Sequence, residues 1–123
     1  KDALIYSMLP HAHFRGKAME MGVSYPDGSY EVLLSVPNYD FNWQTSYELA
    51  EPKLIPAGST LVQHNWWDNS AQNKANPNPN IEVRWGQQSF EEMLFGAFMM
   101  RFLDEEEVAA LKATKTQTIT KRN

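Results

Sequence analysis

The sequence predicts an all-β fold, an antiparallel, jelly-roll-like β-sandwich with a short C-terminal helix. The chain has 123 residues, 42% of them hydrophobic, which suits one domain with its own core. Short apolar and aromatic runs alternate with clusters rich in proline, glycine and asparagine, as in sandwiches and jelly rolls. An acidic run before alanines and a lysine marks one helix near the C-terminus. We therefore expect a sandwich over residues 1–103 and a short helix with a tail over residues 104–123.

The first strands are predicted around a turn. The segment Tyr25-Pro26-Asp27-Gly28-Ser29 has proline and glycine at turn positions. The flanking segments 18–25 and 30–36 are therefore expected to form a hairpin. Alternation over residues 41–49 predicts a further strand, and Pro52 marks the connection that follows it.

The second half of the chain continues this pattern. Residues 60–67 predict a strand, and the asparagine-rich segment 68–80 predicts a long structured loop. Residues 90–103 are apolar and aromatic, and Gly96 in their middle favours a strand over a helix.

The C-terminal helix is predicted to begin after Asp104, which can serve as its N-cap. Three glutamates follow and Lys112 closes the segment, an order of charge that complements the helix dipole. Residues 113–123 are rich in threonine and lysine and predict a frayed tail. Because the chain begins at Lys1 without features of a signal peptide, we expect it to be excised from a longer protein.

Composition excludes several classes of function. The formal charge of −4 argues against a nucleic-acid binder that neutralises phosphates. No run approaches the ~18 apolar residues of a membrane-spanning helix. The absence of cysteine excludes disulfides, cysteine–zinc sites and thiol catalysis, so any metal chemistry must use histidine, methionine or carboxylate ligands.

His11-Ala12-His13 is the strongest candidate for a metal site. Residues two apart on a strand face the same side, so the two imidazoles can converge on one ion. Imidazole suits copper, zinc, iron and nickel alike. Pro10 restricts the backbone just before the pair and indicates a strand edge or start.

The third ligand stays open on residue chemistry alone. His64 is one candidate, and the methionines are the others. Met93 differs from the rest because it follows Glu91 and Glu92, an unnatural setting for a core residue. A thioether ligand would select copper over zinc and make the site redox-active. Four other methionines have a packing role as their expected one. Met19 and Met21 are expected in packing or surface positions, and Met99 and Met100 in the core.

Other chemistries have weaker signals. Two catalytic alternatives are a serine–histidine–acid triad built on Ser7 or Ser35 and a glycosidase pair at Glu91 and Glu92. Two binding alternatives are a calcium loop at Asp68-Asn69-Ser70 and a sugar-stacking platform of Trp43, Trp66 and Trp67. The triad lacks a nucleophile elbow, and adjacent glutamates on a strand point to opposite faces. One tryptophan of the adjacent pair is expected to face the core.

Several segments resemble one enzyme family. They are His11-Ala12-His13-Phe14-Arg15-Gly16-Lys17, Tyr25-Pro26-Asp27-Gly28, residues 39–44, 50–52 and 68–86, and the acidic motif Glu91-Glu92-Met93. In this order, over about residues 5–103, they resemble the catalytic domain of the copper type II, ascorbate-dependent monooxygenases, especially bacterial members. This is the family of peptidylglycine α-hydroxylating monooxygenase and dopamine β-monooxygenase.

The resemblance implies a jelly-roll-like sandwich with one copper held by His11, His13 and Met93. It implies O₂ and a small-molecule substrate, hydroxylation of an activated C–H bond, and ascorbate as the electron donor. It further implies an N-terminal copper domain that this chain lacks, and a periplasmic or extracellular location.

Three positions depart from the family pattern. Leu9 stands where the peptide-amidating relatives have a substrate-binding arginine, and Phe95 and Ala97 replace an asparagine and a tyrosine. A glycine-extended peptide is therefore not the expected substrate. The relatives' disulfides are missing, and His64 has no counterpart role. The alternative reading is a non-catalytic binding or assembly module of the same fold, with or without copper, and a sugar-binding sandwich is a third class.

Overall fold

The computed structural model describes residues 1–120, which form six strands and one helix. In chain order these are β1 (Ala3–Ala12), β2 (Gly16–Ser24), β3 (Tyr30–Val36), β4 (Tyr47–Ile55), β5 (Thr60–Trp67), β6 (Leu94–Phe102) and α1 (Glu105–Thr120). The strands make two antiparallel three-stranded sheets. The first sheet has the order β4-β1-β6 and the second the order β3-β2-β5. The predicted all-β sandwich with a C-terminal helix is confirmed.

The two central strands supply most of the core between the sheets. Ile5 and Met8 of β1 meet Met21 and Val23 of β2, and all four are fully buried. Met21 and Val23 lie two residues apart on β2, and the register shift between Ile5 and Ser7 brings Ile5 and Met8 to the same face of β1, so each sheet has one face toward the core and one toward solvent. Ile55 of β4 completes this cluster.

Side chains connect the edges of the two sheets on both sides of the sandwich. On one side, the Lys53 ammonium of β4 donates to both carboxylate oxygens of Glu31 on β3, at 2.6 and 2.7 Å. On the other, the Gln63 amide of β5 donates to the carbonyl of Phe95 on β6 at 3.1 Å. The Asn65 amide reaches the carbonyl of His11 in the first sheet at 3.4 Å.

The predicted hairpin is confirmed as β2 and β3. Gly28 adopts a φ of +86°, and its N–H donates to the carbonyl of Tyr25 at 3.0 Å, while Tyr25 N–H donates to Ser29. The strand over residues 60–67 has the predicted bounds, the loop over residues 68–80 is confirmed, and the strand predicted over 90–103 is the shorter β6.

The strand predicted over residues 41–49 is wrong in its first part. Residues 41–46 form a turn and a loop because Asp40 accepts hydrogen bonds at its side chain from Asn42 N–H and at its carbonyl from Trp43 N–H. The strand begins at Tyr47 and runs through Pro52, which was expected to interrupt it. Pro52 is tolerated because β4 is an edge strand and its pairing with β1 is irregular there.

The helix begins as predicted and continues further. The Asp104 carboxylate accepts from Glu107 N–H at 2.8 Å, and the Glu107 carboxylate accepts from Asp104 N–H at 3.0 Å, a reciprocal cap. The tail predicted over residues 113–123 is wrong up to Thr120, because α1 extends to that residue, and residues 121–123 lie outside the described part. None of the helical structure among the described residues is long and apolar enough to cross a membrane.

The methionines divide by strand face. Met19 and Met21 are buried, and Met100 packs against the core. Met99, expected in the core, is instead 63% exposed, because the alternation of β6 turns it to the outer face of the first sheet.

Candidate metal centre

The histidine pair lies where β1 extends past its neighbour β4. The last β1–β4 pair joins Met8 to Tyr47, whereas β6 accompanies β1 as far as Ala12. Pro10, which lacks an N–H, therefore lies at a local strand edge, as predicted. His11 pairs with Phe95 and faces outward from the first sheet, and His13 follows directly after the strand.

The separation of the two imidazoles suits a shared ion. Their ring centroids are 5.2 Å apart and their planes meet at 85°. Metal–nitrogen bonds of about 2.0–2.1 Å place each ring centroid roughly 3.2 Å from an ion, so two ligands at a tetrahedral angle have centroids roughly 5 Å apart. The pair therefore has the spacing that two histidine ligands of one ion require.

Hydrogen bonds determine which ring nitrogens are free. Nδ1 of His13 lies 3.2 Å from the backbone carbonyl of Glu91, which can only accept, so this nitrogen carries the proton. Nδ1 of His11 lies 2.5 Å from Oε1 of Gln44. Because the Gln44 amide nitrogen donates to the carbonyl of Phe41 at 2.7 Å, its oxygen must face His11 and accept. The neutral form of each ring is therefore the Nδ1–H tautomer, which has its lone pair on Nε2.

Aromatic residues enclose the pair on one side. The ring centroid of Phe41 is 6.5 Å from that of His11 and 6.4 Å from that of His13. Phe14 packs edge-on against Phe41 at 4.6 Å, and Phe95 lies 6.4 Å from His11. His13 is only 4% exposed, so the second imidazole sits in a largely water-free environment.

The segment before β6 lies beside the end of β1. Leu94 pairs with Ala12, and the same register continued by one residue sets Met93 across from His13. The neighbouring contacts agree with this, since Phe14 N–H donates to Ser89 and the His13 ring to Glu91. Among the described residues, no cluster of three or more His, Cys, Asp or Glu side chains could hold a metal ion. A ligand set of two histidines and one methionine is not a cluster of this kind.

Arg15 fixes the segment that carries Met93. Its guanidinium is 1% exposed, donates from Nη1 to the carbonyl of Phe90 at 2.6 Å and from Nε to Asn69 at 3.0 Å. It thus holds the carbonyl next to the one that orients His13. Its Nη2 has no hydrogen-bond partner among the described residues.

Glu92 is a partly buried carboxylate near enough to feel the charge of Arg15. Burial raises the pKa of the Glu92 carboxyl, against the opposing effects of the Met93 N–H and the positive charge of Arg15.

A cleft of about 790 Å³ lies next to Phe41, and neither histidine of the pair lines it. Phe14 and Phe41 form its apolar wall, and Phe41 is shared between the cleft and the imidazoles. Its polar lining includes Asp40, and Lys17 lies 3.8 Å from the carboxylate of Asp68.

The other predicted candidates lie elsewhere or have structural partners. His64 is on β5 in the second sheet, 3.8 Å from the Glu20 carboxylate, so it does not join the pair. The three histidines contact Gln44, the Glu91 carbonyl and Glu20, not Ser7 or Ser35. The Asp68 carboxylate accepts from Ser70 N–H at 2.9 Å, which explains the loop as a turn. Neither Trp66 nor Trp67 is buried in the core, since they are 49% and 37% exposed.

Sequence reasoning did not find the roles of Gln44 and Phe41. Both lie in the segment expected to be a strand, and nothing in their local pattern indicates contact with a histidine 33 residues away. Comparisons with known protein families, with characterised proteins and with solved structures find no match for the chain. The resemblance to copper monooxygenases therefore stays a prediction that rests on the residues themselves.

Proposed function

We propose that this chain is the oxygen-activating, mononuclear copper domain of a monooxygenase, with His11, His13 and Met93 as the copper ligands. The observation that carries the proposal is the pair of imidazoles, each holding its Nδ1 proton in a hydrogen bond, at a separation suited to one ion. Metal-binding histidines characteristically donate their other N–H in this way. A methionine in third position favours copper over zinc.

The reaction proposed is hydroxylation of an activated C–H bond. Substrate, O₂, two electrons and two protons give the hydroxylated carbon and water, and ascorbate is the two-electron donor. Copper would supply oxygen binding and one-electron redox chemistry. The chain's own residues orient the ligands: Gln44 and the Glu91 carbonyl fix the rings, and Arg15 fixes the segment before β6.

The surface around the pair favours an apolar substrate group at the reacting carbon. On the outward face of the first sheet, Leu9 pairs with Ala97 and His11 with Phe95. Leu9, Phe95 and Ala97 are also the three positions that depart from the family pattern, Leu9 at the position of the arginine that binds a substrate carboxylate. The cleft bounded by Phe41 gives the rest of the substrate a more polar environment. An upstream copper domain and a periplasmic or extracellular location belong to the same proposal.

Copper titration tests the proposal directly. The protein is titrated with Cu(II) under EPR and with Cu(I) under X-ray absorption, in the parent and in His11→Ala, His13→Ala and Met93→Ala. One copper per chain is expected, with the nitrogen signal weakened in each histidine variant and the sulfur scatterer lost in Met93→Ala. Met99→Ala is the matched control, because Met99 is exposed on β6, the strand that follows Met93, and its loss should leave the site unchanged. If the chain does not bind copper stoichiometrically, the alternative hypothesis of a non-catalytic binding or assembly module is favoured.

A further inference from the structure

The outer face of the second sheet carries a second cluster of aromatic side chains. Pairing in this sheet sets Trp66 opposite Ala18 and His64 opposite Glu20, so these side chains share the face that points away from the core. Tyr30 comes from β3 and pairs with Ser24. Trp66 and Tyr30 are 49% and 43% exposed, so the cluster is open to solvent.

The rings form a corner. The centroids of Tyr30 and His64 are 6.3 Å apart with planes tilted by 33°, which makes a shallow floor. Trp66 stands 6.1 Å from His64 at 78°, which makes a wall. Gly22 makes room for this floor, because a side chain there would begin 2.5 Å from the Tyr30 hydroxyl.

A carboxylate lies at the foot of the corner. The Tyr30 hydroxyl donates to Glu20 at 2.9 Å, and the His64 Nδ1 is 3.8 Å from the same oxygen. Within the described part of the chain, no lysine or arginine is in ion-pair distance of Glu20. The corner therefore combines aromatic faces with a negative charge that no strong base neutralises.

We propose that this corner, formed by Tyr30, His64, Trp66 and Glu20, binds a methylated ammonium group. Aromatic faces attract cations through their quadrupoles, tryptophan most strongly, and methylated ammonium ions are the cations that aromatic enclosures bind best. Their methyl groups pack on the rings, while the charge is balanced by Glu20. A neutral sugar could donate hydroxyl hydrogen bonds to Glu20, but it has no charge to balance that of the carboxylate and would stack better on a flat row of rings.

This site is separate from the proposed metal centre. The histidine pair faces outward from the first sheet, and the corner faces outward from the second, with the core between them. The inference therefore does not depend on copper, and its test can succeed or fail independently of the copper titration.

Calorimetric titration with choline tests the proposal. Choline is expected to bind, and its uncharged carbon isostere 3,3-dimethylbutan-1-ol is expected to bind at least about fivefold more weakly, the scale of one cation–π contact. Glu20→Gln and Trp66→Ala should each weaken choline binding at least about fivefold. Trp85→Ala is the matched control, because Trp85 is 70% exposed outside the corner and should leave binding within about twofold.

Further ligands identify the source of the group and the outcomes that refute the site. Binding of free choline indicates a small soluble ligand, and binding only to phosphatidylcholine vesicles indicates a lipid headgroup; both support the site. Equal binding of choline and the isostere would overturn the proposal. So would binding of cellobiose without choline, choline binding unchanged in Glu20→Gln and Trp66→Ala, or no binding of choline or vesicles. Thermal unfolding of each variant verifies that it is folded.

Discussion

Replacing Gln44 by alanine tests whether its amide holds His11 in a metal-binding tautomer. The substitution removes the acceptor that lies 2.5 Å from Nδ1 of His11, with no change to the ligands themselves. Loss of such a partner typically costs 10–100-fold in metal affinity. Because this bond is exposed, water can replace part of it, so we expect the lower end, about tenfold or roughly 1.4 kcal/mol.

The measurement is a competition titration of Cu(I) and Cu(II) against chelators of known affinity. Thr45→Ala is the matched control, since it shortens a side chain of the same loop whose hydroxyl bonds only to Ser46. Gln44→Glu keeps an acceptor for His11 and should bind copper at least as tightly as the parent. If Gln44→Ala binds copper within about twofold of the parent, the assignment of the tautomer by Gln44 is refuted.

Three predictions concern stability. The Lys53 ammonium donates to the Glu31 carboxylate and lowers its pKa. The pair therefore stabilises the fold at pH values above the ordinary carboxyl pKa near 4.5. This stabilisation is lost as the pH falls through the lowered pKa of Glu31. In urea unfolding, Glu31→Gln should therefore cost about 0.5–1 kcal/mol at pH 7, since both side chains are partly exposed, and almost nothing near pH 2; an equal cost at both pH values would contradict this. Met8→Ala should lower the free energy of unfolding by about 2–5 kcal/mol, because Met8 is fully buried. The control Met99→Ala should change it by less than about 0.5 kcal/mol, because Met99 is exposed. Equal losses in the two variants would refute the assigned core. Asp104→Ala removes the helix cap and should cost about 0.5–2 kcal/mol and lower helical circular dichroism, whereas an unchanged spectrum would argue against the cap.

Local chemistry made part of the fold predictable. The hairpin depends on Gly28, whose positive φ is needed within a five-residue turn, and the helix start depends on Asp104 and the residue three positions later. Both are decided by neighbours in sequence. The exposure of Met99 was not predictable in the same way, because the face to which it points follows from the register of β6 on β1, and that register is set by contacts across the chain.

The candidate site was likewise only partly predictable from the sequence. Spacing alone predicts that His11 and His13 lie on the same side of the strand, and their ring centroids are 5.2 Å apart. The acceptors that orient them could not be predicted, because one is a backbone carbonyl at residue 91 and the other is the side chain of Gln44. A backbone carbonyl has no signature in a sequence, and the Gln44 amide becomes relevant only when its loop is placed beside β1.

The incorrect strand prediction and the geometry of the site have one explanation. If the β1–β4 register at Met8 and Tyr47 is continued past the end of β4, Gln44 falls opposite His11 and Phe41 opposite Phe14, and both pairs are in contact. The segment therefore follows β1 in register, but the turn at Asp40 and the hydrogen bond from Gln44 to Phe41 prevent a regular ladder. A complete strand would have used its backbone groups to pair with β1. The loop instead directs an amide oxygen and an aromatic ring at the two imidazoles, which is what orienting and enclosing a metal site requires.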